Sequence, residues 1–134
     1  MESERAGGDD VIPASKKLQK IISELKKHPK VVAAVLFGSW ARDEQTPLSD
    51  IDVAVFLKDP TPDDEADVGS MYSDDIDLVL FHRLPLYIQF EVLRDGKEIF
   101  VKDRQAFDEM IVKTLLRYHE MADFFKEIES EVMR

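Results

Sequence analysis

Residues 38–52 read Gly-Ser-Trp-Ala-Arg-Asp-Glu-Gln-Thr-Pro-Leu-Ser-Asp-Ile-Asp. An apolar, valine-rich run from Val31 to Phe37 precedes this stretch and is typical of a buried strand. The glycine and serine predict a sharp turn into a short helix, Trp40 to about Glu44, because glycine permits tight backbone conformations. Pro47 ends that helix, and Asp50 to Leu57 predicts a second strand. Residues 31–57 are therefore predicted to form a strand–turn–helix–strand unit.

The rest of the chain predicts further helices and strands around this unit. The predicted elements are a helix from Pro13 to about Lys27, a loop from Asp59 to Ser73, a strand from Asp75 to Phe81, a helix from Leu84 to Arg94, a short strand from Glu98 to Val101 and a long helix capped by Asp103. The loop is predicted from its prolines, its glycine and its many acids. We expect an α/β (α+β) fold, a small mixed sheet flanked by helices, in a single domain of residues 13–134 after a flexible tail of residues 1–12.

Composition excludes several classes of function. The net charge of −10 argues against direct binding to nucleic acid, because acids outnumber the basic residues that would contact phosphates. Cysteine is absent, which excludes disulfides, thiolate metal sites and thiol nucleophiles. The acidic first ten residues do not resemble a signal peptide, and no apolar run reaches membrane-spanning length. We therefore expect a cytoplasmic protein with no membrane partner.

Three aspartates are the candidate metal ligands and catalytic residues. Asp50 and Asp52 lie two residues apart on a predicted strand, so both side chains point to one face. Their mutual repulsion favours a cation between them, and Mg²⁺ prefers carboxylate oxygens, water and substrate phosphates as ligands. If the third strand lies beside the second, Asp77 completes a site for two Mg²⁺ ions. Asp75 shares its predicted face with Asp77, but we favour Asp77 because it lies inside the strand.

Gly38, Ser39 and Arg42 are the candidate nucleotide-binding residues. Gly38 allows a ligand to approach the backbone closely, and Ser39 offers a hydroxyl and backbone amides at the start of a helical turn, where negative charge is favoured. Arg42, about one turn later, can present a planar fork of donors to a triphosphate. Arg42 can equally be a surface residue paired with Asp43 or Glu44. Trp40 is expected to pack in the core. Together these residues indicate an enzyme that transfers a nucleotide.

The pattern Gly-Ser-x₁₀-Asp-x-Asp with a later strand aspartate resembles the DNA polymerase β-type nucleotidyltransferase superfamily. More closely, it is similar to the minimal nucleotidyltransferases, the MNT-domain antitoxins encoded beside HEPN-domain toxins. The similarity is carried by residues 36–42 and 49–55, and by residues 76–79 with 90–96, and it covers most of the chain after Ser15. Asp43 departs from the family pattern, which often has glycine at this position.

The resemblance implies a metal-dependent transfer of AMP from ATP to a tyrosine hydroxyl of a partner HEPN toxin, which silences the toxin. It implies that Asp50 and Asp52 bind the metals that hold the triphosphate. Asp77 binds the catalytic metal and helps to deprotonate the hydroxyl, while Gly38 and Ser39 seat the phosphates. Two alternatives stay open: a nucleotidyltransferase that modifies a small molecule, and a non-catalytic antitoxin that acts by contact. The distal part of the last helix carries surplus apolar residues and is a candidate surface for homo- or hetero-oligomers.

Overall fold

The computed structural model describes residues 15–46 and 48–132, so the predicted tail of residues 1–12 lies outside the described residues. The order of elements is α1 (Lys16–Lys27), β1 (Val31–Phe37), β2 (Ile51–Leu57), α2 (Pro62–Gly69), β3 (Ile76–Leu80), α3 (Leu86–Asp95), β4 (Lys97–Val101) and α4 (Arg104–Val132). Two 3₁₀ turns, Gly38–Trp40 and Phe81–Arg83, follow β1 and β3.

The four strands form one mixed sheet in the order β3-β2-β1-β4. β1 pairs antiparallel with both β2 and β4, whereas β2 and β3 are parallel. A parallel pair needs a crossover connection, and here α2 lies within that connection. The sheet with its flanking helices and long last helix confirms the predicted fold class.

Each face of the sheet carries its own apolar core. On one face, buried residues of α1 and α2 pack against β1, β2 and β3; they include Leu18, Leu25 and Val68. On the other face, Ala54 and Phe56 of β2 pack against residues from α3 and α4. Side chains alternate between the faces along a strand, so Asp52 lies on the α3/α4 side, in phase with Ala54 and Phe56.

The prediction of a structureless loop from Asp59 to Ser73 was wrong, because Pro62–Gly69 is a helix. Thr61 caps it: the Thr61 hydroxyl accepts from the amide of Asp64 at 3.2 Å, and the Asp64 carboxylate accepts from the amide of Thr61 at 2.8 Å. Proline suits the first helical turn, whose amides have no partner within the helix. Val68 then buries its side chain against the sheet.

The predicted helix from Trp40 to Glu44 was also wrong. A 3₁₀ turn begins earlier, at Gly38, and ends at Trp40. Asp43 has φ +57°, in the left-handed region, and this conformation stops any helix from continuing. Glycine would adopt this φ without strain, and aspartate tolerates the conformation better than most other residues. The Asp43 carboxylate lies 3.5 Å from Lys97 Nζ on β4.

The long helix α4 packs on the sheet only through its first half. Ala106, Phe107 and Thr114 are its buried residues, and the Phe107 ring meets Phe56 edge-on. Tyr118 stacks on Phe90 of α3, with ring centroids 3.9 Å apart. No helix of the described residues is both long enough and apolar enough to span a membrane.

Candidate active site

The parallel pairing of β2 and β3 brings Asp52 and Asp77 side by side. The two residues are register partners, and the next pair along the strands is Val53 with Leu78. Neighbouring strands lie about 4.8 Å apart, and partners in a parallel pair point to the same face of the sheet. Asp50 immediately precedes β2 and is exposed. The three predicted carboxylates therefore lie at one end of the sheet, on the α3/α4 side.

Gly38 lies directly against this acidic group. Its φ of +75° belongs to the left-handed region. A Cβ atom at this position would also overlap Oδ2 of Asp52 and lie 3.2 Å from its Cγ. Backbone conformation and space therefore both require glycine here. The end of β1 is held close to the Asp52 carboxylate as a result.

Electrostatic repulsion within the group is visible at Asp52. Burial raises the pKa of the Asp52 carboxyl, and the charges of Asp77 and Asp50 raise it further. The charge of Arg42 opposes this and lowers the pKa. Asp52 is half-buried, whereas Asp77 is exposed, in contrast to the enclosed position expected for a residue inside a strand. β3 is an edge strand, which leaves Asp77 open to solvent.

The structure separates Asp75 from the group. The Asp75 carboxylate lies 3.5 Å from Lys17 Nζ, and Lys17 belongs to α1, which covers the opposite face of the sheet. Asp77, by contrast, raises the pKa of Asp52. Of the two candidates that the sequence left open, Asp77 is the one placed beside Asp52.

Ser39 and Arg42 lie on the turn that follows β1. Within the described part of the chain, Ser39 Oγ has no hydrogen-bond partner. The first amides of a helical turn also lack partners within the turn, so Ser39 offers donors to an anion. The guanidinium of Arg42 is exposed and its Nε donates to Oε1 of Glu44 at 3.1 Å. Trp40 packs against the core, as predicted.

The donor set suits Mg²⁺. All three carboxylates offer hard oxygen ligands, and a divalent cation would relieve the repulsion that raises the pKa of Asp52. Their oxygens do not all lie within 4.8 Å of one another, since His28, Asp64 and Asp67 are the one such group of three in the described ranges. Asp50, Asp52 and Asp77 would hold Mg²⁺ together with water and substrate phosphates, which complete the ligand set of this ion.

The family is shown by comparison with known proteins. The model of the family described as "Polymerase beta, Nucleotidyltransferase" matches residues 19–105, about two thirds of the chain. The chain belongs to this family. The predicted membership of the polymerase β-like superfamily is thereby confirmed, and residues 19–105 form a nucleotidyltransferase domain.

Individual relatives of the nucleotidyltransferase domain agree with this assignment. A protein of Methanocaldococcus jannaschii named "Putative protein adenylyltransferase MJ1547" is 37% identical over 73 residues, 53% of this chain and 57% of that protein. The chain thus spans just over half the length of this relative.

Solved structures of toxin–antitoxin complexes share the fold. A chain of a crystal structure of a toxin–antitoxin with AMP-PNP is 27% identical, with a TM-score of 0.66 over 90% of this chain and 100% of that one. A chain of the complex of a tri-AMPylated Shewanella oneidensis HEPN toxin with an MNT antitoxin is 26% identical, with a TM-score of 0.60 over 88% and 97%. The predicted resemblance to the proteins of MNT–HEPN systems is thereby confirmed in both fold and sequence.

The end of α3 carries a charged pair, Arg94 and Asp95, that also feels the charge of Arg42. The hydrogen bond from Arg94 lowers the pKa of Asp95, and the charge of Arg42 lowers it further. Arg42 therefore acts electrostatically on both Asp52 and Asp95. Gly96 brings this end of α3 against β1, because a Cβ there would overlap Val35. Its sequence signal is the stretch of residues 90–96, which is part of the family resemblance.

The group of His28, Asp64 and Asp67 is a structural clip outside the nucleotidyltransferase site. The amide of Lys30 donates to Nδ1 of His28 at 3.1 Å, so the neutral ring carries its proton on Nε2. That Nε2–H group lies 3.0 Å from Oδ2 of Asp67. With Nε2 protonated, the ring has no free nitrogen for a metal. The group instead ties α2 to the turn between α1 and β1.

Proposed function

We propose that this chain transfers AMP from ATP to a tyrosine hydroxyl of a HEPN-domain toxin and thereby silences the toxin. The observation that carries the proposal is the placement of Asp52 beside Asp77 and against Gly38. The family and the AMPylated toxin complex among the structural relatives support the reaction type and the class of partner. Such a reaction belongs in the cytoplasm, where ATP and Mg²⁺ are available.

The reaction is an in-line displacement at the α-phosphorus of ATP. The tyrosine oxygen forms a bond to that phosphorus, the bond to the bridging oxygen breaks, and pyrophosphate leaves. We assign Asp50, Asp52 and Asp77 as ligands of two Mg²⁺ ions. When bound, these ions would supply charge neutralisation at the triphosphate and lower the pKa of the attacking hydroxyl.

The acceptor side of the site is assigned to Asp77. Its side chain is exposed at an edge strand, so a hydroxyl carried by another protein can reach it. A carboxylate accepts hydrogen bonds, and Asp77 is therefore suited to orient the hydroxyl and to take its proton. A tyrosine hydroxyl has a pKa near 10, so removal of this proton is a substantial part of the barrier at neutral pH.

The phosphate side of the site is assigned to Gly38, Ser39 and Arg42. Gly38 adopts the left-handed backbone conformation that starts this turn and holds it against the Asp52 carboxylate, so that phosphates bound at the turn lie beside the metal ligands. Ser39 contributes a hydroxyl and amide donors to the phosphate oxygens. Arg42 is exposed on the same turn and can exchange its surface partner Glu44 for the triphosphate.

The test is transfer of label from ATP labelled at the α-phosphate. The purified chain with Mg²⁺ is expected to label a co-expressed HEPN-domain toxin. Asp52→Asn should reduce the transfer at least about 10²-fold, the scale seen when one charge-stabilising group is removed from an active site. Asp75→Asn is the matched control, because Asp75 pairs with Lys17 instead, and it should transfer label normally.

A test of toxin neutralisation in cells distinguishes inhibition by AMP transfer from inhibition by binding alone. The proposal expects Asp52→Asn to leave the toxin active even when the complex still forms. If Asp52→Asn protects cells as fully as the native chain does, the chain acts by contact and the proposed reaction is not its function.

A further inference from the structure

The exposed apolar surface of this protein is concentrated on α4. Of the nine large hydrophobic residues that are exposed in the described ranges, six lie on this helix. Phe124, Phe125, Ile128 and Val132 belong to its last third and are 42–74% exposed. Large exposed apolar patches of this kind mark interaction sites on soluble proteins. The proposed nucleotide transfer does not use these exposed residues of α4.

The exposed residues continue the stripe that packs on the sheet. Phe107, Thr114 and Tyr118 lie on the packed part of the stripe, and Met121, Phe125, Ile128 and Val132 follow at spacings of four, three and four residues. We name these last four residues the distal stripe. At 1.5 Å per residue, the 29 residues of α4 extend about 43 Å, whereas strands of five to seven residues extend about 17–23 Å. The distal stripe therefore lies beyond the sheet that covers the first half.

The spacing of the distal stripe matches docking of an apolar surface along the helix. Alternating steps of three and four residues keep side chains on one face and are the pattern of helix-to-helix packing. Phe124 extends the surface sideways, with its ring centroid 6.0 Å from that of Phe125. Aromatic residues are the usual anchors of protein interfaces.

The charge of the last part of α4 indicates what kind of partner surface would bind there. Residues 119–132 hold five acids, Glu120, Asp123, Glu127, Glu129 and Glu131, against one base, Lys126. Glu127 and Glu131 line a shallow surface depression of about 380 Å³ together with Phe124, Ile128 and Val132. A second copy of this chain would bring the same acids to the same interface, which like-charge repulsion opposes. A basic partner with an apolar strip complements the surface.

We propose that the distal stripe is the docking surface for the protein acceptor, and that the acceptor presents an apolar strip flanked by basic residues. This inference rests on the proposed function, because the docked protein is the one whose tyrosine is modified. Docking at α4 places the partner on the α3/α4 side of the sheet, the same side as Asp52. Attachment at a distance from the acids leaves Asp77 accessible to the acceptor hydroxyl.

The test is the affinity of the full chain for the HEPN-domain toxin used in the transfer assay, measured by isothermal titration calorimetry. Phe125→Glu with Ile128→Glu should weaken binding about 100-fold or more, since central apolar residues dominate interface energies. Glu127→Lys with Glu129→Lys should weaken it about tenfold and reduce its dependence on salt. Val112→Glu is the matched control: it is 54% exposed on α4 outside the distal stripe and should bind normally. Circular dichroism checks that each variant keeps its fold.

Binding and transfer are scored separately. If the double variant at Phe125 and Ile128 binds like the native chain, or if the native chain does not bind the toxin, the docking inference is overturned. A dimer of the isolated native chain that the double variant abolishes, measured by light scattering, overturns it as well. Asp52→Asn should bind normally. Loss of binding in the double variant without label transfer by the native chain would support the docking surface and reject the proposed reaction.

Discussion

Gly38 shows how one residue without a side chain makes the acidic site possible. Its positive φ turns the chain out of β1, and its missing Cβ leaves the space that Oδ2 of Asp52 occupies. A turn residue and a strand residue distant in sequence therefore depend on each other. The fixed spacing of Gly38 and Asp52 in the sequence therefore reflects a direct contact between the two residues, as well as their shared place in the proposed site.

Gly38→Ala should destabilise the protein by about 1–3 kcal/mol, because alanine is strained at this φ. It should also reduce label transfer, since the added methyl group displaces the Asp52 carboxylate. Denaturant titration and the transfer assay measure the two effects. Gly69→Ala is the control: nothing lies within 4 Å of its Cβ position, and it should be neutral or slightly stabilising. Full transfer by Gly38→Ala would contradict the assigned contact.

Asp52 is a carboxylate whose ionised form the fold disfavours. Its pKa is raised above 3.8 by burial and by the charges of Asp77 and Asp50. Between 3.8 and the raised value, the folded state binds more protons than the unfolded state, so stability falls as pH rises through that window. The full penalty is present above the raised pKa and absent well below 3.8, where both states are protonated.

Asp52→Asn should therefore raise the melting temperature at pH 7 and have little effect near pH 3, where Asp52 is neutral in both states. Thermal unfolding at the two pH values, without metal, measures the difference. Asp75→Asn is the reference variant, since Asp75 is exposed and pairs with Lys17. An equal gain at both pH values would show that charge is not the cause.

At the scale of elements, the sequence predicted the parts with a strong apolar signal. The strand from Val31 to Phe37 was predicted at the bounds found in the structure, because its apolar run is continuous and a glycine follows it. The long last helix was predicted from its stripe and its cap: Oδ1 of Asp103 accepts from the amide of Ala106 at 3.1 Å. Strong periodicity and clear termini were sufficient in both cases.

Composition predicts a loop where the structure has helix α2, because prolines and acids are typical of loops. Its decisive signal is the pair Thr61 and Asp64, whose side chains and amides cap each other reciprocally. The helix is short, and Val68 is its one buried residue. With so little apolar periodicity, the capping pair was the stronger evidence, and it is visible in the sequence.

The candidate site was predictable as a set of residues but not as an arrangement. Alternation along a strand could not choose between Asp75 and Asp77, because the choice depends on where α1 places Lys17. The electrostatic effect of Arg42 on Asp95 depends on how the chain folds α3 back towards β4. Long-range packing of this kind leaves no local pattern. The catalytic and binding roles of the site residues stay predictions.

For the whole molecule, the excess of acidic residues is expected to make the stability of the fold depend on bound Mg²⁺ and ATP. The chain carries a net charge of −10, and three of its acids meet at one end of the sheet. A ligand that binds only the folded state stabilises it, by about 2.7 kcal/mol when its concentration is 100 times Kd. Mg²⁺ with ATP should therefore raise the melting temperature substantially.

This shift is expected to need both the metal and the acids. EDTA should abolish it, and Asp50→Asn should reduce it, whereas Asp75→Asn should keep it. Differential scanning fluorimetry with and without Mg²⁺ is sufficient. An undiminished shift with ATP and EDTA would mean that the nucleotide binds without the proposed metal ligands.

The two faces of the sheet divide the protein into a supporting side and a working side. Helices α1 and α2 cover the first, while the acids and the distal stripe belong to the second. Since the chain has no native thiol, Ser23→Cys would create a single attachment point on the exposed surface of α1. A fluorophore there can follow association and turnover in real time while remaining clear of both surfaces.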